Sequence, residues 1–353
     1  MQRELTRRLL LMAALAGAVL LALVPAGATA ASDNVYSVTN LVSDVSGQAA
    51  NTDSNLKNAW GLTSTAGSPW WVADNGTDMS TIYRANGTSP RPPVAVSSAP
   101  TGAVSNSSSN FMISNGVTSA PATFIFSTEE GEILAWASSV SGNTAMVEAS
   151  SSGAIYKGLA IAGDRLYATD FHHGRVDVFD GSFQPVNTPG AFVDPGIPAG
   201  YGPFGIQNVA GNIVVTYAKQ DPNQEDDVKG QGLGFVDMFS TAGTFLGRVA
   251  THGQLNAPWG IARAPANFGR FSGHLLIGNF GDGEISAYEP QQDGTFELVG
   301  QLRTANHKVL SIDGLWALQF GKGAANNGPT TTLFFTAGPD DESHGLFGTI
   351  TAG

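Results

Sequence analysis

The chain has 353 residues, 42% of them hydrophobic, a formal charge of −12 and no cysteine. The lack of cysteine excludes a disulfide framework, a thiolate metal site and a cysteine nucleophile, and a chain of this length can bury a core without such staples. The acidic excess argues against nucleic acid or an anionic lipid surface as a partner, and it suits a soluble surface or cation binding.

Arg3, Arg7 and Arg8 precede an apolar run over residues 9–24, which is followed by Pro25 and the small residues Ala26, Gly27, Ala28, Thr29 and Ala30. A positive end, an apolar segment short for a bilayer span and an A-x-A site predict a Sec-type signal peptide over residues 1–30. Its three arginines against Glu4 carry +2, so taking it from −12 leaves −14 on the product. Residues 31–353 are expected as a secreted, extracellular product. The last residues, 349–353, carry no apolar anchor, which favours release.

After the signal comes an apolar, β-branched run at residues 35–42 with no repeat of its own. Beyond it one pattern recurs every fifty or so residues: an aromatic or small residue, a glycine and an aliphatic, then two short β-rich runs. The copies are anchored at Gly61, Met112, Gly158, Gly205, Gly260 and Gly314. Runs rich in β-branched and aromatic residues at this period read as propeller blades, each a four-stranded meander. The fold class is therefore all-β, a six-bladed β-propeller over residues 31–353. The segment after Gly314 is too short for a full blade, which leaves the sixth without an outermost strand. The spare run at 35–42 is expected to supply it, closing the ring and removing an open sheet edge.

In such a ring the turns into each innermost strand and the turns leaving each second strand gather at one mouth of the axis, a natural binding face. Candidate ligand-binding residues there are Asn58, Lys157, His172, His173 and Lys219. Asn110, Asp170, Asn279 and Asp313 are candidate oxygen ligands for calcium or another divalent cation, which replaces its hydration shell with such atoms. Asp and Asn are also common in these turns because they cap bends. The acidic segment 221–232 is not an EF-hand loop: Asp226 stands where glycine is needed and Gly232 where a chelating glutamate is needed. His172 and His173 offer a base that Asp170 would orient, or else a solvent-facing pair. Trp60, Trp259 and Trp316 sit at the innermost strands and read as packing, or as the wall of a sugar or aromatic pocket. No nucleophile elbow, HExxH pair, Walker loop or dinucleotide fingerprint occurs.

Several stretches go beyond generic propeller character: ATDFHHGRVDVF at 168–179, YAKQD at 217–221 with DDV at 226–228, APWGIA at 257–262, GNFGDG at 278–283, IDGLWAL at 312–318 and DESHGLFG at 341–348. Together they resemble a family of secreted bacterial conserved hypothetical proteins, some of which carry a C-terminal PEP-CTERM sorting tail. That resemblance implies the propeller but no activity and no catalytic residue. More distantly the repeat resembles NHL-type propellers and gluconolactonase-like six-bladed enzymes, which implies a divalent cation in the channel. Two functions follow as expectations. One is a monomeric secreted module binding a small molecule, glycan or protein at the mouth. The other is a metal-assisted hydrolase of the lactonase or esterase type, with Asp313, Asn279, Asn110 and Asp170 polarising a carbonyl.

Overall fold

The structure, a computed structural model, describes residues 33–353; the expected signal peptide, residues 1–30, lies outside the described residues. Short β-rich runs separated by Gly, Asn and Asp turns pair with their sequence neighbours into small antiparallel sheets, because each turn is tight enough to return the chain beside itself. With strands lettered a to d from the axis outward, blade one is Ala59–Thr63, Trp70–Asp74, Met79–Tyr83 and Val94–Ala95. Blade two is Pro100–Ser105, Phe124–Thr128, Glu132–Trp136 and Met146–Ser150. Blade three has Tyr156–Ala162, Arg165–Asp170 and Arg175–Phe179, its fourth strand reduced to a bridge between Phe179 and Pro185. Blade four is Tyr201–Val209, Asn212–Lys219, Gly234–Phe239 and Phe245–Thr251. Blade five is Pro258–Arg263, Leu275–Asn279, Ile285–Pro290 and Phe296–Gln301.

The sixth blade supplies Leu315–Phe320, Leu333–Ala337 and Leu346–Ala352 from the end of the chain, and its fourth strand is Tyr36–Ser43, flanked on its outer side by the two-residue parallel strand Asn51–Thr52. That strand runs antiparallel to Leu346–Ala352, with Val38 opposite Ile350 and Asn40 opposite Gly348, so the predicted closure is present. Tyr36 extends the seam to blade five: it is buried, stacks parallel to Phe271 at 6.0 Å, and donates its hydroxyl to the Phe268 carbonyl at 3.1 Å. Burial pushes that phenol up to about 12, so it stays a neutral donor.

The strand b segments of blades one, two, five and six are buried at every position instead of alternating. Each blade lies between two others, so both of its faces are covered. Trp71 of blade one, for example, stacks on Phe124 at 4.1 Å and meets Trp136 at 4.7 Å, both in blade two.

Two anchors differ from the sequence expectation. Strand a of blade two carries Gly102, while Met112–Ser114 pairs with Ser119–Pro121 in a separate hairpin and Met112 is half-exposed. In blade six Gly314 turns the chain at φ 63° just before the strand, and Ala317 takes the anchor place. The segment P-T-G-A-V-S at 100–105 is small and polar enough to pass for a linker, yet small residues are what the crowded axis admits. At Gly205, an added Cβ would collide with the Trp259 carbonyl of the next blade. Phe111 mimics an anchor aromatic because it is a core residue, but one that packs on Phe183 well away from the axis.

Candidate functional site

At every anchor the pairing of strands a and b slips register, a bulge that turns the preceding side chain inward. Aligned on the anchors, the preceding residues are Trp60, Thr101, Lys157, Phe204, Trp259 and Trp316. The rings converge from four blades: Trp60 stacks on Trp316 at 3.6 Å and meets Phe204 at 6.4 Å and Trp259 at 6.2 Å. Phe280, from the turn after strand b of blade five, stacks on the far face of Trp316 at 3.9 Å. Thr101 is too short to join them and donates to the Tyr156 carbonyl at 2.7 Å. The axis is therefore plugged by aromatic rings, and beneath the plug only about 30 Å³ stays open between Gly61, Gly102, Leu159, Ile206, Ile261 and Leu318.

Lys157 is the exception among these positions. Its side chain is 2% exposed, its ammonium lies 5.2 Å from the Trp60 ring centre, and it is held by Glu129 of blade two at 2.5 Å and by Asp226 of the blade-four loop at 3.2 Å. Burial alone would lower this ammonium, but the two carboxylates outweigh it and raise its pKa, so it stays charged. A buried charge of this kind costs several kcal/mol in lost hydration, and an apolar replacement of the whole pair is often neutral or stabilising. Packing therefore gives no reason for a lysine at this place.

Around it the polar residues form one connected rim. Asn58 accepts from the Trp316 indole at 3.1 Å through its side-chain oxygen, and its amide donates to Glu342 at 2.7 Å and to Asn75 at 3.2 Å. Asn75 in turn donates to Glu129 at 2.9 Å. Lys229 pairs with Asp341 at 3.2 Å. Asp340, Asp341 and Glu342 have φ of 57°, 51° and 67°, three successive non-glycine residues in the left-handed region. Such conformations are costly and persist where the surroundings enforce them; here they aim Asp341 and Glu342 over the plug. Burial pushes the Asp227 carboxyl up to about 7, with Glu342 and Asp226 adding to the rise and Lys157 and Lys229 opposing it. One of its oxygens is buried and unpaired. Beside Lys157 a pocket of about 530 Å³ opens between Glu129, Glu130, His172, Glu225 and Asp226.

Of the predicted ligand-binding residues, Asn58 and Lys157 belong to this network and His172 lines the pocket. His173 turns away to bond Asp170 through Nδ1 at 2.7 Å. Lys219 lies over the Tyr201 ring at 5.3 Å and lines a different hollow, with Gly200 and Pro222. The four predicted cation ligands are held in separate networks. Asp170 is fully buried under His173 and Arg175; Asn279 donates to the Gln254 carbonyl and to Asp282; Asp313 accepts from the Asp340 backbone; Asn110 is exposed beside Gly181 in the turn after strand c of blade three. Their donors do not fit one shared ion. Among the described residues no group of three or more His, Asp or Glu side chains is arranged to hold a metal. The turns leaving the second strands already placed Glu129 and Glu342 at the mouth in the sequence, whereas Asp226, Asp227 and Lys229 were missed as members of the rim. Aligning the copies on the anchor glycines would have exposed Lys157 as the odd residue among Trp60, Phe204 and Trp259.

The fold and this mouth define a six-bladed β-propeller with an aromatic axial plug under an acidic rim. No family model matches the chain. It is similar to two uncharacterized proteins of Acanthamoeba polyphaga mimivirus: one is 33% identical over 330 residues, covering 89% of this chain and 80% of the relative, and the other is 30% identical over 332 residues, covering 89% and 85%. The chain belongs to the family of these proteins. The expected place in a bacterial family with PEP-CTERM tails finds no support, since these relatives are viral. Among solved structures it is similar to a structural genomics protein of unknown function from Bacteroides thetaiotaomicron, with a TM-score of 0.57 at 10% identity over 90% of this chain and 76% of that one. At that identity the likeness concerns the fold alone.

Proposed function

We propose that the chain is a secreted binding module that receives its ligand at the acidic mouth of the propeller. The observation that carries this reading is Lys157: a charged side chain kept, with its two carboxylates, at an axial position that four of the other five blades fill with Trp or Phe. Since packing gives no reason for it, recognition does. The adjoining pocket of about 530 Å³ is of a size that holds a small molecule or a sugar residue. Its lining of Glu129, Glu130, Glu225 and Asp226 favours ligands bearing cationic or hydrogen-bond-donating groups.

One arrangement favours a hydrolytic reading. The buried Asp170 bonds His173 Nδ1 at 2.7 Å and so leaves the other ring nitrogen facing outward, as a base with its orienting partner would be. Asp170 is also engaged by Arg175 at 3.3 Å, and among the described residues no Ser or Thr hydroxyl hydrogen-bonds His173, so binding is preferred.

The test is a thermal-shift screen of amines, sugars and lactones on the secreted product, alongside metal analysis and a lactone and ester hydrolysis assay with and without chelator. Binding is expected to raise the Tm of the native chain and to be lost in Lys157→Met, whose side chain fits the plug. Turnover abolished by chelator or by Asp170→Asn would replace the binding reading with the hydrolytic one.

A further inference from the structure

We infer that the mouth contains a subsite for an alkylammonium group and that the chain's own Lys229 occupies it. The inference rests on the mouth being the binding face and names the chemistry recognised there. Phe280, Trp316 and Trp60 form a continuous stack of three rings, each no more than 3% exposed. Both ends of the stack carry an ammonium: Lys157 lies 5.2 Å from Trp60 and Lys229 lies 4.4 Å from Phe280. A ring face attracts a cation through its quadrupole, and a carboxylate at its edge adds a second attraction. At the Phe280 end that carboxylate is Asp341, 3.2 Å from Lys229.

The two lysines differ in what holds them. Lys157 is sealed in the plug, whereas the Lys229 side chain is 42% exposed and Asp341 is 92% exposed. An ion pair so open to solvent is weak, and the ammonium can be exchanged for another. The backbone on both sides is pinned: the Val228 amide donates to the Lys219 carbonyl at 2.7 Å, and the Gly230 amide to Asn256 Oδ1 at 2.6 Å. Lys229 therefore leaves by rotating about its own side-chain bonds, with no movement of the loop. An incoming ammonium then inherits the Phe280 face and the Asp341 carboxylate, while the acidic surface of the mature product attracts cations toward the mouth. Lys229 thus acts as an internal competitor that sets a threshold for binding. A free organic ammonium and the side chain of a lysine on a partner protein present the same group to this subsite.

The experiment titrates tetramethylammonium chloride into the full secreted chain, read by tryptophan fluorescence and calorimetry, with sodium chloride as the ionic-strength control and tert-butanol as the neutral counterpart. Lys229→Met is expected to bind tetramethylammonium roughly tenfold more tightly than the native chain. Adding Asp341→Asn to that variant is expected to reverse the gain, and tert-butanol is expected not to bind. Both positions are exposed, so an unchanged Tm verifies folding. A blocked lysine-containing peptide run beside tetramethylammonium separates the sources: tighter binding of the peptide assigns the subsite to a protein partner, tighter binding of tetramethylammonium to a small molecule. Equal affinity in native and Lys229→Met chains, or indifference to Asp341→Asn, overturns the subsite. If a screened compound still binds in a Lys157-dependent way, the mouth reading survives that result; if nothing binds, both fall.

Discussion

Burial makes ionisation of Asp227 at the mouth costly to the fold. Its pKa stands near 7 in the native state, far above the roughly 3.9 of an unfolded aspartate. The folded form therefore holds the proton more tightly, and its contribution to stability is present at low pH and lost as pH rises through about 7. Asp227→Asn is expected to flatten the fall in stability between roughly pH 4 and 7, as read from urea midpoints of native and variant chains across that range. An unchanged slope would remove Asp227 as its source. Single residues of the rim were partly legible. Lys157 and Asn58 stood out as polar residues leading into innermost strands. Asp226 and Asp227 read as an exposed acidic loop, because their partners lie in other blades and no local pattern announces them.

The element that recurs is the bulged strand a and the hydroxyl that braces it. In blades two, three, four and six the anchor amide donates to a Ser or Thr of strand b: Gly102 to Ser127, Gly158 to Thr169, Gly205 to Thr216 and Ala317 to Thr336. Thr169 and Thr336 then donate to the next blade, to the carbonyls of Phe204 and Trp60. A strand pattern announces the strand but not this brace, which needs the next blade in place. Thr336 joins the last blade to the first, so Thr336→Val leaves the Ala317 amide and the Trp60 carbonyl without this buried partner. A loss of about 1–3 kcal/mol is expected, with Thr336→Ser restoring most of it. Denaturant midpoints of the two variants decide this, and equal values would show the brace to be dispensable. The same element explains the misplaced anchors at Met112 and Gly314: an aromatic beside an aliphatic marks burial anywhere in a β-protein, whereas only the axial crowding met by Gly102 and Ala317 distinguishes strand a.

For the whole molecule the decisive joint is the seam between the two ends of the described chain. Tyr36→Ala removes a ring that packs against Phe268 and Phe271 of blade five and a hydroxyl bonded to the Phe268 carbonyl. It is expected to cost about 3–5 kcal/mol, measurable as a drop in the chemical denaturation midpoint. Omitting residues 33–43 altogether exposes the edge of Leu346–Ala352; light scattering should then show concentration-dependent association, because an unpaired edge strand recruits another. Scattering unchanged from that of the native chain would show that the seam does not protect the ring.

The β-period of each run, the repeated blade unit and the match between a spare first strand and a missing last one were all present in the sequence by itself, since each depends on neighbours in the chain or on counting strands. The mouth depended on tertiary structure. Lys157 meets Glu129 across 28 positions and Asp226 across 69, and Trp60 reaches Trp316 across the closure of the ring. Those distances become short only once every blade has been set around the axis, and burial, which turns an ordinary lysine and a row of loop acids into a site, exists only after that has happened.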